Sequence, residues 1–318
     1  MFREALKGSR EFADDMVQPV KNDGRGKIEY MLDRYEQIKR RMLECARQDE
    51  DIEAVVAIGS SVRGTAEADE FSDLDLIIAT RATESWYSGA YPTRLGDVRI
   101  SFVEPTLGGG QERRVIFEDD RDVDMIIFTP DQFRAAILDG TAQWVMNRGY
   151  AVLYDSGDYS ALLHRRIQPQ VPRPVMSAVE FSNVVNDFYF HNIWACKKLR
   201  RGELWAAKQC VDGYLKNYLL KMIELYCAQR HGVDVWHDGR FIDRWADQDI
   251  LEELKHCFAH YDREETCRAL LATHVLFARL ARAAAQALGY PYPQGAEECA
   301  QRYLWASGME REESKWTD

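Results

Sequence analysis

Asp73 and Asp75 stand one residue apart at the entrance of an apolar run, and Gly59-Ser60 closes the apolar run before it. Strand side chains alternate with period two, so both carboxylates leave one face. Two carboxylates side by side repel unless a cation lies between them. Hard oxygen ligands suit Mg2+, which also takes phosphate oxygens from a substrate. A Gly-Ser turn just ahead of them leaves backbone N–H groups free, and such concavities hold phosphate. Residues 54–58 and 74–79 therefore read as two strands carrying a site for a divalent ion and a phosphorylated ligand.

A third carboxylate is expected from a neighbouring strand. The run Asp122-Val123-Asp124-Met125-Ile126-Ile127-Phe128 supplies it. Asp122 and Asp124 share a face by the same alternation, so spacing alone does not choose between them. A G-S turn, a D-x-D and a later strand-borne Asp resemble the signature of the polymerase-β-like nucleotidyltransferases. That resemblance implies two Mg2+ ions, ATP or another NTP, and in-line attack of a hydroxyl on the α-phosphate. Two ions roughly 3.5–4 Å apart can clamp the attacking and leaving oxygens.

The elements that must position these residues follow from periodicity. Ile28, Met31, Leu32, Tyr35, Ile38, Met42 and Cys45 fall at helical spacing, giving a helix that leads into the first strand. Residues 66–70 read as an exposed linker, 85–87 as the opening of a short helix and 98–103 as a strand. Residues 114–117 and 123–128 make a hairpin around 118–121. Thr129-Pro130-Asp131 starts a helix through Leu138, and 150–154 is a last short strand. Three prolines within 169–174 fit neither a helix nor a central strand. They set the expected domains: an arm over 1–27, a sheet domain over 28–167, a linker over 168–176 and a helical domain over 177–318. In that last domain one helix runs through 181–199, one through 204–225, and others lie near 249–260 and 264–287. The tail over 308–318 is polar and reads as frayed. The fold class expected is α+β, a small mixed β-sheet with helices followed by an all-α helical bundle.

Composition narrows the partners. A length of 318 residues suits about two domains, and 46% hydrophobic residues are enough for two cores. The net charge of −11 argues against a nucleic-acid backbone as ligand and suits a small cationic substrate. The seven cysteines are scattered and form no C-x-x-C, which reads as reduced thiols and argues against zinc. No apolar run approaches the ~18 residues of a membrane span, and no signal-peptide pattern opens the sequence. A cytoplasmic monomer with no membrane and no nucleic-acid partner is expected.

From about residue 28 to 305 the chain resembles the aminoglycoside 6-adenylyltransferase (streptomycin adenylyltransferase) family. The resemblance rests on the acidic motif and on several further stretches. These are Ala46 to Ile52, Asp119-Asp120 before Asp122-Val123-Asp124, Glu180-Phe181, Cys196 to Leu204, Leu219 to Met222, Gly239-Arg240-Phe241-Ile242 and Tyr290-Pro291-Tyr292-Pro293. Ser61 stands where an Arg is usual in that family, and Arg240 where a Lys is usual. Aligned this way, Asp124 takes the third-carboxylate position.

The resemblance implies that Asp73, Asp75 and Asp124 ligate two Mg2+ and are catalytic. Gly59, Ser60, Ser61 and Arg63 would hold the triphosphate, with Lys197, Lys216 and Arg240 reaching it from the second domain. Asp212 would receive a cationic antibiotic. Glu112, Glu118 and Asp119 are candidates for a general base. Trp86, Trp194 and Trp205 offer planes for adenine, although aromatics at helical spacing usually fill cores. The activity implied is transfer of AMP from ATP, bound in the cleft between the domains, to a hydroxyl of a streptomycin-like aminoglycoside. The alternatives are another hydroxyl acceptor such as a lincosamide, a protein acceptor, or a nucleotide-binding regulatory module without catalysis.

Overall fold

The computed structural model describes residues 26–62, 71–106, 109–170, 173–235 and 237–306. The expectations for an arm before residue 26, a linker over 66–70, a tail over 308–318 and a role for Arg63 lie outside the described residues. Two compact units divide the chain, Met1–Val171 and Pro172–Asp318.

The first unit opens with α1 (Gly26–Gln48) and β1 (Ile52–Ile58). Then come β2 (Leu74–Thr80), α2 (Thr83–Tyr87), α3 (Pro92–Leu95) and β3 (Val98–Pro105). β4 (Gln111–Phe117), β5 (Asp122–Phe128), α4 (Pro130–Asp139) and α5 (Thr141–Met146) follow. β6 (Ala151–Asp155) and α6 (Tyr159–Arg166) complete it. The strands form one sheet in the order β3-β4-β5-β2-β1-β6. Only β2 and β5 pair in parallel, and the other four pairings are antiparallel.

Both faces of the sheet centre are covered, which is why β1 and β2 read as nearly continuous apolar runs. On one face Tyr35, Ile38 and Met42 of α1 pack against Val55, Ala57, Leu76, Ile78, Val123 and Met125. On the other, Phe133 and Ile137 of α4, Met146 of α5 and Leu163 of α6 pack against Val56, Ile58, Ile77 and Ala79. Along β2 burial is therefore complete except at Asp75, which is half-buried. Thr129 caps α4 with a full capping box to Gln132, as Thr129-Pro130 predicts.

The second unit is helical. It contains α7 (Ala178–Arg200), α8 (Leu204–Gln209), a π turn at Cys210–Tyr214 and α9 (Leu215–His231). α10 (Ile242–Trp245), α11 (Gln248–Lys255), α12 (Arg263–Leu288) and α13 (Gln294–Ala306) follow. Its core is centred on the Phe188–Phe277 stack between α7 and α12, ring centroids 3.6 Å apart. The helix expected through 204–225 is instead broken by the π turn. Lys216 explains how the break is tolerated: its Nζ donates to the Val211 carbonyl at 2.8 Å, within the disturbed backbone ladder. α5, α6 and α13 were not expected, because six to thirteen residues opening after Gly140, Gly157-Asp158 or Pro293 carry few turns from which to read a period.

Glu297 is 3% exposed and ties α13 to α12. Arg282 Nε donates to its Oε2 at 3.0 Å, and Tyr292 OH donates to the same oxygen at 2.7 Å. Arg282→Met would leave that carboxylate buried with the tyrosine alone. Losing one partner of a buried pair costs about 3–5 kcal/mol, and the lower end applies because the arginine side is half exposed. The expected result is a lower thermal midpoint for the helical unit, read by far-UV circular dichroism. An unchanged midpoint would contradict this account.

Candidate active site

The parallel register of β2 and β5 makes Asp75 and Asp124 direct Cα partners. Asp73 lies one residue before β2. One carboxylate oxygen from each of the three falls within 4.8 Å of the others. Asp122 lies on the same face of β5 but is exposed, and it is Asp124 whose oxygen joins the group. Such a set of three oxygens fits a hard divalent cation.

The turn after β1 closes against this group. Gly59 has φ +76°, and a Cβ there would overlap Asp75 Oδ2 and sit 3.0 Å from its Cγ. Gly59 is thus required twice, by its left-handed backbone and by the carboxylate packed on it. Ser60 begins a short 3-10 turn, and its hydroxyl is buried with no hydrogen-bond partner among the described residues. A buried hydroxyl without a partner is costly. A phosphate oxygen would fit it as acceptor, which agrees with the donor set expected for a nucleotide. Ser61 Oγ donates to the Ile58 carbonyl at 3.3 Å, fixing the turn.

The neighbouring strand adds a residue that sequence reasoning missed. Arg114 on β4 pairs in register with Asp124 on β5. Its Nε lies 2.8 Å from Glu104 and 3.0 Å from Glu112, and its Nη1 lies 3.7 Å from Asp124 Oδ2. The signal was available in part: once the hairpin is drawn, Glu112, Arg114, Asp122 and Asp124 fall on one face. Glu118 pairs instead with Arg99, and Asp119 with Arg121 at 2.6 Å, both around the hairpin turn.

Burial pushes the Asp124 carboxyl up to about 8; Arg114 opposes the rise, while Glu112, Asp75 and Asp122 add to it. Burial and the Asp73 charge raise Asp122 as well. An unfolded Asp titrates near 3.9. Between about pH 4 and pH 8 the folded metal-free protein thus holds a proton that the unfolded chain has released. By linkage this site contributes most stability below pH 4 and loses it as pH rises to 8. A cation held among the carboxylates would replace that proton. The thermal shift produced by Mg2+, measured against EDTA, should therefore be larger at pH 8 than at pH 5.5. A shift independent of pH, or larger in acid, would count against cation binding here.

In the second unit the proposed residues are spread over several elements. Asp212 lies in the π turn, paired with Lys208, and its buried Oδ1 is 3.9 Å from Lys216 Nζ. Lys216 is largely buried and also donates to Thr273 Oγ1 at 2.8 Å; desolvation brings its pKa down to about 8. Lys197 is exposed on α7, over the Tyr303 ring. Arg240 is exposed, 5.0 Å over the Phe241 ring, in a segment where Asp238, Gly239 and Phe241 all have positive φ. Asp187 of α7 accepts from His191 at 2.6 Å, Tyr218 at 2.8 Å and Tyr214 at 3.0 Å. Nothing in the sequence pattern marked that cluster. Trp86 is fully buried and stacked on Tyr91 at 4.2 Å, so it belongs to the core. Trp205 is 68% exposed.

The model of the family described as streptomycin adenylyltransferase matches residues 32–306. The chain belongs to this family. Membership in the streptomycin adenylyltransferase family makes it an adenylyltransferase of the aminoglycoside-modifying kind, with a nucleotide co-substrate. The aminoglycoside 6-adenylyltransferase of Bacillus subtilis (strain 168) is 23% identical over 267 residues, which span 79% of this chain and 90% of that protein. Among solved structures, an aminoglycoside 6-adenyltransferase from Bacillus subtilis covers 86% of this chain and 98% of its own, at 20% identity and a TM-score of 0.43. A nucleotidyltransferase-like protein from Exiguobacterium sibiricum covers 80% and 78%, at 11% identity and a TM-score of 0.35. No helix among the described residues is long and apolar enough to cross a membrane.

Proposed function

We propose that the protein transfers AMP from ATP to a hydroxyl of a streptomycin-like aminoglycoside, releasing pyrophosphate and so inactivating the antibiotic. The observation that carries this reading is the three-carboxylate group of Asp73, Asp75 and Asp124 packed against the Gly59-Ser60 turn. In it Asp73, Asp75 and Asp124 hold two Mg2+, and Gly59, Ser60 and Ser61 hold the triphosphate, aided by Arg63. Bound there, Mg2+ would supply charge neutralisation at the α-phosphate and activation of the nearby hydroxyl. An O–P bond forms at the α-phosphorus, the α–β anhydride bond breaks, and the hydroxyl proton passes to a carboxylate. Lys197 and Arg240 are proposed phosphate contacts. Lys216 already binds the backbone of the π turn, so its contribution is to hold Asp212, the proposed seat of a drug cation. The net charge of −11 favours a polycationic acceptor. The reaction is placed in the cytoplasm, by a monomer.

The test is direct. The protein is incubated with Mg2+, ATP and streptomycin, and the drug is analysed by mass spectrometry alongside a pyrophosphate assay. One added adenylyl group on the drug supports the reading. Folded protein that modifies no member of an aminoglycoside panel would remove the acceptor assignment, and a lincosamide product would replace it.

A further inference from the structure

Arg114 sits where no metal ligand or phosphate contact has been assigned, and its surroundings are specific. It faces Asp124 across the β4–β5 pairing, on the side of the sheet that carries the acidic group. Two carboxylates, Glu104 on the edge strand β3 and Glu112 on β4, both lie against its Nε, at 2.8 and 3.0 Å. That leaves Nη1 turned to Asp124, 3.7 Å from Oδ2. The separation exceeds hydrogen-bond length, so in the metal-free protein the contact is an oriented charge. Arg114 and Glu104 are both nearly half exposed, at 44% and 43%. Ion pairs so exposed contribute little to stability. A rigid planar guanidinium, with two carboxylates at its Nε and its Nη1 toward a third, is instead a device for orientation.

We propose that Arg114 is a positioning residue for Asp124. It draws Oδ2 toward itself and would leave the other carboxylate oxygen to a cation, while Glu104 and Glu112 hold the guanidinium at Nε. This rests on the metal-site reading above and adds to it three residues outside the acidic triad. It also assigns the charge on β4 a purpose: a carboxylate free to rotate among three like charges would turn away from them, and Arg114 prevents that.

The experiment uses the full chain without nucleotide or acceptor. Mn2+ is titrated into wild type, Arg114→Lys, Arg114→Met, Glu104→Gln and Asp75→Asn, and free Mn2+ is followed by electron paramagnetic resonance. Groups that orient metal ligands change affinity about 10–100-fold when altered. The expected result is binding weakened about tenfold in Arg114→Lys and Arg114→Met, and weakened by a smaller factor in Glu104→Gln. Thermal midpoints in EDTA should stay close to wild type. In turnover, the Mg2+ concentration giving half-maximal rate should rise and kcat fall, with the KM for ATP little changed. Unchanged Mn2+ affinity in Arg114→Lys overturns the proposal. So does tighter binding in the Met variant, which would show a guanidinium that merely competes with the ion. Weak binding by wild type, or binding indifferent to Asp75→Asn, sinks the metal-site reading itself; normal binding lost in Asp75→Asn but indifferent to Arg114 sinks only this inference.

Discussion

Asp75→Asn is expected to lower AMP transfer by about a thousandfold or more, equivalent to about 4 kcal/mol of transition-state stabilisation at 1.36 kcal/mol per decade. Asp75 is the residue on which the proposed site converges. It is the register partner of Asp124, shares the oxygen cluster with Asp73, and packs against the Gly59 turn. Asparagine preserves shape and removes one charge of three, so the deficit lies in cation binding and not in folding. Stability supplies the control. Removing one of three crowded carboxylates relieves repulsion, so the thermal midpoint in EDTA should equal or exceed that of wild type. The upward shift on adding Mg2+ should disappear. A variant that retained turnover within tenfold would show that this carboxylate is not a metal ligand.

The second large effect is expected at Gly59. Gly59→Ala forces a side chain into a left-handed backbone, at a cost of about 1–2 kcal/mol. It also drives a methyl into the Asp75 carboxylate, which must swing out of the cluster. Loss of activity by about a hundredfold is expected from a displaced ligand, since orienting groups around a metal are worth 10–100-fold. Gly202 separates the two causes. It too has φ +76°, but a Cβ there meets nothing within 4 Å. Gly202→Ala should show a similar fall in thermal midpoint with activity intact. Equal losses of activity in both variants would mean that backbone strain alone, and no collision with Asp75, explains Gly59.

The Asp73–Asp75 pair was legible because its signal is local. Asp73 immediately precedes β2 and Asp75 lies inside it, one strand period apart, and the Gly-Ser turn marks where β1 must stop. The α+β class was legible from the change in periodicity near the prolines at 169, 172 and 174. Arg114 was not, because its meaning depends on which strand lies beside β5 and in what register. A β4 shifted by one residue would send the same arginine to the opposite face. The π turn was hidden for another reason: residues 204–225 keep one apolar face, and a single wide turn hardly disturbs that pattern. The burial of Lys216 follows from that turn, and an isolated lysine on an apolar helix gives no sign of it. Alternation puts Asp122 and Asp124 on one face, so periodicity left that pair open and only the family resemblance chose Asp124.

The parallel pairing of β2 with β5 has a consequence for how the protein acquires its chemistry. After β2 the chain runs out to the edge of the sheet and returns through β3 and β4 before β5 docks beside its distant partner. Pairings of this kind must close a long loop before any contact rewards them. On the ribosome, a nascent chain that has delivered Asp73 and Asp75 still lacks Asp124 until the whole detour has been synthesised and laid down. A divalent ion that needs all three acids could not template the early sheet, and would enter only once the last of them had arrived.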